Sequence, residues 1–598
     1  MINHYWKLAV VALVSLVAIS CEKNSYDLVA IKDTSVVTFS IENTDDKTIS
    51  FSSTADWTLA YDADWFTVTP SSGVAGDNVT VTVSFTDQEN NVARSSKVVI
   101  TANQRTAVFQ VRQDEIVYAE GIELQGTHYM LVGYTNKLTV AKTPTNGKLP
   151  AALTFASSNN EVAKVDDKGV VTAVALGEAV ITATCGELTA QFQVNVVDTY
   201  VTDGANRTYT FADLAAIEYS GIVKQDGAYV ITREWTLAET DILTLGDAKR
   251  VVFNNEVRMN VEGMLDLVAS KQVVFEAAAT AIPEPVLFGG DVEGAGVIKN
   301  VKFDGVTLRY FGAKALTIEN CVFTGVTDSE SCISLGGIGL VTVSECEFKE
   351  NSYPAISGAA NITTPLIFKN NNLYKNSATA NNKPQINVTV AGDGVCQILN
   401  NKVVGPAENT TCGGIAVSNM VNLAGANKVE IIGNEVSDCR YGITLYGPLT
   451  GVINDNILKN NKYDSNPMSG GSGVSLYGVT GAQYVYMSGN HIEGHLWGIT
   501  NIGYGLNGPQ LNMGNLTEGE NYNPGGNVFK DNGNGGVLYD LYNNCALDVM
   551  AQGNTWNVAV QDEASIEEVI VHKNDNSSYG TVTFMPAAKK GFHIGIYK

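Results

Sequence analysis

The sequence predicts an all-β chain, in which two small β-sandwich modules are followed by a right-handed parallel β-helix. Three observations carry that prediction. Apolar and polar residues alternate with period two in short runs separated by turn clusters. A four-residue motif recurs through the C-terminal half at steps of 22 to 37 residues, about the chain one coil of a β-helix consumes. Asn is concentrated where that motif runs, with 33 in positions 351–550 against 18 in the 350 residues before them, so the repeat itself uses Asn. A chain of 598 residues is too long for one core and implies modules in tandem. With 38 Lys+Arg against 62 Asp+Glu, a net charge of -24, its surface repels phosphate backbones and anionic membranes, which argues against a nucleic-acid partner.

At the N-terminus, Lys7 precedes an apolar run from Leu8 to Ile19, and Ser20 stands before Cys21 and the polar Glu22-Lys23-Asn24-Ser25. Such a run is a secretion signal, too short to span a bilayer stably. Ala18-Ile19-Ser20-Cys21 resembles a bacterial lipoprotein signal, with Ala18 where such signals usually carry Leu. The resemblance implies removal of residues 1–20, lipidation of Cys21 as the mature N-terminus, and a lipidated linker over 21–34. Glu22, by resemblance to known sorting signals, implies an outer-membrane, surface-facing destination. No second apolar run of about 18 residues follows.

From Ser35 the strands of a first module alternate in Asn78-Val-Thr-Val-Thr-Val-Ser-Phe85 and Lys97-Val-Val-Ile-Thr101. Ala55-Asp-Trp57, Asp64-Trp65-Phe-Thr-Val-Thr-Pro70-Ser-Ser-Gly73, Arg94 and Val111-Arg-Gln113 resemble the BACON domain of Bacteroidetes over 35–114. That family accompanies glycan-degrading proteins and implies a possible sugar contact, although Trp57 and Trp65 fall in strand positions that equally suit a core. Over 117–198, Ser157-Ser-Asn-Asn-Glu-Val-Ala-Lys-Val-Asp-Asp-Lys-Gly169 and Gly177-Glu-Ala-Val-Ile-Thr-Ala183 resemble a bacterial Ig-like domain of group 2 (Big2), which implies a stiff spacer.

The repeat fills 203–598. Its motif reads Asn320-Cys-Val-Phe323, Glu345-Cys-Glu-Phe348, Asn370-Asn-Asn-Leu373, Asn400-Asn-Lys-Val403, Gly433-Asn-Glu-Val436, Asp455-Asn-Ile-Leu458, Gly489-Asn-His-Ile492, Gly526-Asn-Val-Phe529 and Gly553-Asn-Thr-Trp556. The Asn at the second position is expected to take a left-handed turn conformation and to bond its copy on the neighbouring coil. A second marker, at Ala355-Ile356, Gly414-Ile415, Gly442-Ile443, Gly473-Val474, Gly498-Ile499 and Gly536-Val537, is expected to open the next strand. The region resembles the pectate-lyase-like (pectin lyase) fold, and within it secreted β-helix repeat proteins. Ser565 is read as the N-cap of a short helix over 566–573 that covers the end of the coil stack, which makes His572 a helix-end residue.

Cys321 and Cys346 occupy the ladder position of Asn371 and Asn401, and Cys439 aligns with Asn351, Asn461 and Asn532. The eight cysteines after Cys21 are therefore expected to be mostly free, buried thiols. No cofactor or metal is expected: His491 and His495 are four apart, but on strand and turn, where they share no face. The paired carboxylates or basic residues of hydrolases and lyases on this fold are not visible. Counting five residues past the apolar motif position gives Tyr441, Tyr463 and Trp497 on consecutive coils, with Tyr353 further up. Arg440, Lys462 and His495 stand beside them, as do Asp438 and Glu493. Stacked rings flanked by charges suit a polysaccharide, and the insertions 404–413 and 464–472 leave the same corner.

These residues point to a cell-surface lipoprotein, monomeric and held to the membrane by its lipid alone, whose β-helix binds polysaccharide or another surface ligand. The alternatives are a polysaccharide lyase or glycoside hydrolase, and a purely adhesive or structural stalk. The anchor has a direct test. Cys21→Ala should move the protein from the membrane fraction to the soluble one, and wild-type protein should yield a lipidated Cys21 peptide in mass spectra.

Overall fold

The computed structural model describes residues 29–32, 35–217, 219–289, 294–327, 330–478, 481–503 and 508–588. The leader 1–20, Cys21 and the linker up to residue 28 lie outside the described residues. The chain divides into two compact units. One comprises the residues up to Gln125 with Thr139–Thr154 and Ala183–Gln191; the other comprises Gly126–Leu138, Phe155–Thr182 and everything from Phe192.

In the first unit, a four-stranded sheet of Val29–Ile31, Lys47–Ser53, Gly76–Phe85 and Phe66–Thr69 shares one core with a five-stranded sheet of Val36–Phe39, Arg105–Gln113, Arg94–Ala102, Trp57–Ala60 and Ser72–Gly73. The inward positions of the alternating strands supply Phe39, Phe51, Phe66, Phe85 and Phe109. Trp57 and Trp65 join them, 2% and 6% exposed. Trp57 donates its indole N–H to the Val74 carbonyl at 3.1 Å, and the Arg94 guanidinium sits 4.8 Å from the Trp65 ring. Both rings belong to the core, not to a sugar platform. The unit also holds the antiparallel pair Gly121–Gln125 and Thr139–Thr143.

The second unit contains further strands of the Ig-like module, with Thr135–Lys137 and Ala163–Val165 both paired to Val170–Ala173, and then the coils. Three parallel ladders climb the stack. The first runs through fourteen strands, from Tyr200–Val201 to Ile570–Val571, with Ile415–Ser418, Ile443–Tyr446, Ser472–Gly478, Trp497–Gly503 and Leu541–Asn544 in order. The second passes through Leu366–Lys369, Cys396–Leu399, Lys428–Ile432, Thr450–Asn454, Gln483–Ser488 and Pro509–Asn512. The third passes through Val322–Thr324, Glu347–Lys349, Asn372–Tyr374, Lys402–Val404, Glu435–Ser437, Ile457–Lys459, His491–Glu493 and Val528–Lys530. In-register pairing stacks like on like. Ile356, Ile386, Ile415, Ile443, Val474 and Ile499 form one buried column, and Phe303, Phe323 and Phe348 stack with centroids 4.8 Å apart, the strand spacing of a sheet.

The turn between the second and third ladders corrects one expectation. The left-handed residue is the first of the motif, at Asn320, Glu345, Asn370, Asn400, Gly433, Asp455, Gly489, Gly526 and Gly553, and it frees the second to point inward. Seven asparagines in succession, Asn371, Asn401, Asn434, Asn456, Asn490, Asn527 and Asn554, then form a ladder. The backbone N–H and side-chain amide of each donate to the side-chain oxygen of the next at 2.8–3.1 Å. Cys346 starts it, its N–H donating to the Asn371 oxygen at 2.9 Å. All eight cysteines among the described residues are buried and free, and burial pushes the Cys396 and Cys412 thiols up to about 12.

Two other expectations shift. Gly536-Val537 does not open a strand of the first ladder: Val537–Leu538 folds back on Gly533–Asn534 as a small hairpin, and Asp540-Leu541 takes the register position. The end helix is Glu563–Glu567, not 566–573, because the Asp562 carboxylate, not Ser565, caps it by accepting from the Ser565 N–H at 2.8 Å. His572 lies beyond that helix, buried, with Nε2 2.9 Å from Glu567 and Nδ1 accepting from the Val582 N–H at 3.0 Å.

The amide ladder predicts a large cost for one missing rung. Asn434→Ala removes the acceptor for both Asn401 N–H donors and the amide donor to the Ile398 carbonyl, all in the interior. A loss of about 2–4 kcal/mol is expected, read as a lowered urea midpoint with an unchanged denaturant slope.

Candidate functional site

The residues drawn together by counting along the sequence do not form one strip. Register shows why. Ser472 pairs with Trp497, Ile443 pairs with Val474, and Gly442 donates to the Ser472 carbonyl at 3.0 Å. On the middle coil the position between Tyr441 and Trp497 therefore belongs to Ser472, because the insertion 464–472 follows Tyr463 and displaces it. Among the described residues no ring contact joins Tyr441, Tyr463 and Trp497.

Each member has its own setting. Tyr441 is half-buried, its ring lying so close over Gly413 that a Cβ there would meet it at 2.1 Å, and burial raises its hydroxyl pKa. Tyr463 is half-buried and Lys462 exposed. Arg440 holds loops: its Nε donates to the Ser469 carbonyl at 2.7 Å and its Nη1 to the Asn382 side chain at 2.5 Å. Asn409, from the 404–413 insertion, donates to the Ser377 and Ala380 carbonyls at 2.7 and 2.8 Å, so the insertions are tied to one another at this corner.

His495 is no surface residue. It lies fully buried as a rung of a second inner ladder, at the turn between the third and first ladders. There Cys439 N–H donates to the Asn461 oxygen, Asn461 N–H to His495 Nδ1, and His495 N–H to the Asn532 oxygen, each at 3.1 Å, while His495 Nε2–H donates to the Leu458 carbonyl at 3.1 Å. Burial lowers its pKa to about 4. Asn532 donates in turn to Asp540 at 3.2 Å, whose carboxyl burial raises to about 7. His491 instead faces outward on the third ladder, 2.8 Å from Glu493. Glu493 also holds Lys530 at 2.6 Å, and these partners depress its pKa to about 2, the lysine bond foremost.

Trp497 packs instead among rings that counting along the sequence missed. Its ring lies 4.7 Å from Tyr539 and 5.1 Å from Tyr542, its indole N–H donates to the Pro467 carbonyl of the 464–472 loop at 3.0 Å, and the Tyr542 hydroxyl is 3.4 Å from that of Tyr579. All four rings are half-buried. On the outer face of the same ladder Tyr446 and Tyr477 stack at 6.2 Å. In register, Thr444, Ser475 and Thr500 lead along the ladder to Tyr542; Ser475 and Thr500 are buried, with Thr500 Oγ1 3.0 Å from Ser472 Oγ and 3.2 Å from Ser475 Oγ. Tyr446, Tyr477 and Tyr542 stand at outward positions of period-two strands, while Tyr539 and Tyr579 lie outside strands and carried no signal in the sequence. Among the described residues no three His, Cys, Asp or Glu side chains converge as a metal centre.

The comparisons bear on the N-terminal third. Residues 28–114 match the family model described as the viral BACON domain, and residues 121–196 match the bacterial Ig-like domain (group 2). The chain thus carries both modules ahead of its parallel β-helix. No curated protein matches. Solved structures similar to part of it include a Bacteroides ovatus GH5 xyloglucanase in complex with a XXXG heptasaccharide, at 15% identity over 18% of this chain and 22% of that one, TM-score 0.13. The S-layer protein rSbsC is similar at 17% identity over 29% of this chain and 28% of that one, TM-score 0.21. Invasin, a bacterial integrin-binding protein, is similar at 14% identity over 28% and 38%, TM-score 0.14. Likenesses of this size carry no argument about ligand or activity.

The buried imidazole gives a pH test. In the unfolded chain it takes a proton near pH 6.5, and in the fold only near pH 4. Between those values the unfolded chain binds more protons, so stability falls as pH drops through that window. His495→Asn supplies an amide rung and removes the loss. Relative to the parent, its unfolding free energy should improve by about 2–3 kcal/mol on going from pH 7.5 to pH 4.5, measured by urea titration at both.

Proposed function

We propose that this chain is a lipid-anchored surface protein, fixed by Cys21 to the outer membrane and facing outward, whose β-helix binds polysaccharide along the outer face of the first ladder. The observation that carries the reading is the two groups of half-buried rings on this ladder, Trp497 with Tyr539 and Tyr542, and Tyr446 with Tyr477. Half-exposed aromatic rings offer an apolar face to the C–H side of a sugar ring and keep a polar edge for its hydroxyls. The sandwich modules act as spacers between anchor and coils, and the protein works as a monomer.

Of the residues singled out in sequence, Trp497 belongs to these rings and Arg440 acts on them by positioning the 464–472 loop against Trp497. Tyr441, Lys462 and Tyr463 stand at the same corner, where they would meet a ligand that overruns the rings. His495 contributes only through the fold.

Glycan-array or affinity-electrophoresis measurements on the protein should show binding that Trp497→Ala and Tyr477→Ala each weaken by about 1–3 kcal/mol, with the Tyr477→Ala melting temperature unmoved. A melting loss in both without any binding loss would assign the rings to the fold. Release of unsaturated product absorbing at about 235 nm, or of reducing ends, would replace the binding reading by the lyase or hydrolase alternative.

A further inference from the structure

The second ladder carries a separate aromatic surface. Four tyrosines among the described residues are 37% exposed or more, and three of them, Tyr484 at 42%, Tyr486 at 37% and Tyr522 at 54%, fall at one place on the coils. Tyr484 and Tyr486 stand two apart on the strand Gln483–Ser488, both outward, so their Cα atoms are separated by about 7 Å along one face. Tyr522 is brought to them by its neighbours. Asn523 donates to the Met487 carbonyl at 3.1 Å and to the Asn512 carbonyl at 2.8 Å, and Asn512 donates to the Asn521 carbonyl at 2.9 Å. The loop that holds Tyr522 is closed by reciprocal backbone bonds of 2.8 Å between Asn515 and Asn523. The rings therefore stand on a rigid sheet beside a braced loop.

The charge of the patch decides its ligand. In register with the two tyrosines lie Thr450 and Val452 on one coil and Gln510 and Asn512 on the next, none of them ionisable. One coil beyond Thr450 and Val452 the same columns carry Lys428 and Glu430, paired with each other at 2.6 Å; Glu518 and Glu520 sit exposed on the Tyr522 loop, and the chain as a whole carries -24. A uronan or a sulfated glycan would be repelled there, since the one lysine in these columns is already held by a carboxylate. Tyrosine faces with amide and hydroxyl neighbours match the alternating C–H faces and hydroxyls of an uncharged sugar chain.

We infer that Tyr484, Tyr486 and Tyr522 form a second carbohydrate contact, on a different ladder from the first, that takes a short stretch of neutral hexose polysaccharide. It extends the glycan-binding reading but stands on its own residues.

The test uses the whole protein with its leader removed, in affinity electrophoresis against soluble glucan, mannan and galactan and against polygalacturonate. Binding to at least one neutral polymer is expected, with at least tenfold weakening in the Tyr484→Ala/Tyr486→Ala double variant, a lesser loss in Tyr522→Ala, and melting temperatures equal to the parent. Equal affinity of parent and double variant, preference for polygalacturonate, or no binding to any neutral polymer overturns the inference. A parallel Trp497→Ala/Tyr477→Ala variant separates it from the first contact. Loss confined to that variant removes the second contact and leaves the first standing, whereas loss confined to Tyr484→Ala/Tyr486→Ala does the reverse.

Discussion

Each coil must turn with its backbone against an apolar interior, and every N–H and C=O in that turn needs a partner that water does not reach. The chain meets this with two residues, one that accepts a left-handed conformation and one that points inward to bond the next coil. Between the second and third ladders the pairs are Asn370-Asn371 through Gly553-Asn554; after the third ladder they are Glu350-Asn351, Lys375-Asn376, Asp438-Cys439, Asn460-Asn461, Gly494-His495 and Asp531-Asn532. An orphaned buried amide costs about 1–3 kcal/mol, so a stack this long is stable only because successive rungs satisfy one another. The left-handed residue is Gly, Asn or Asp at most of these turns, the types that tolerate it.

The core column beside the rungs changes along the stack. Next to Cys321 and Cys346 it is a phenylalanine stack through Phe303, Phe323 and Phe348. It then becomes Leu373, Val403, Val436 and Leu458, and beside Asn527 and Asn554 it is aromatic again, Phe529 stacking on Trp556 at 5.0 Å. Because in-register stacking fixes the position of every strand, loops can leave one corner without disturbing the coils. The loops at 377–382, 404–413 and 464–472 do so and are braced by Arg440 and Asn409.

The same register explains what could be read in advance. The motif was legible because its spacing and its apolar fourth residue survive every insertion. Tyr463 was misplaced because counting forward from Leu458 ignores the insertion that follows it; counting back from Gly442, Gly473 and Gly498 gives Tyr441, Ser472 and Trp497, the observed register. His495 stands three residues past Ile492, as Asn461 stands three past Leu458, so its role as a rung was written in the sequence but masked by reading the imidazole as a surface cation, whereas burial keeps it neutral. Gly536-Val537 mimics the strand-opening pair, and only the antiparallel pairing with Gly533–Asn534 shows that Asp540 has taken the place. Aromatics facing outward, such as Tyr446, Tyr484 and Tyr542, carry no motif and become legible only once each strand has a face.

The placement of aromatic side chains also says where on this chain a ligand can be met. A sandwich of about 80 residues buries a smaller fraction of its surface than a large domain does and needs its large rings for the core, where Trp57, Trp65 and five phenylalanines lie. The coils from 386 to 499 are under no such pressure, since their first-ladder columns are aliphatic, whereas the coils before and after them bury rings such as Trp235, Tyr310 and Trp556. From Ile386 to Ile499 the first-ladder core is almost wholly Ile, Val and Leu. On those coils and the next, the tyrosines and Trp497 stand at the surface, on two ladders and in clusters. Rings that the core of these coils does not require, gathered outside a stack of paired strands, are what the proposed glycan contact rests on.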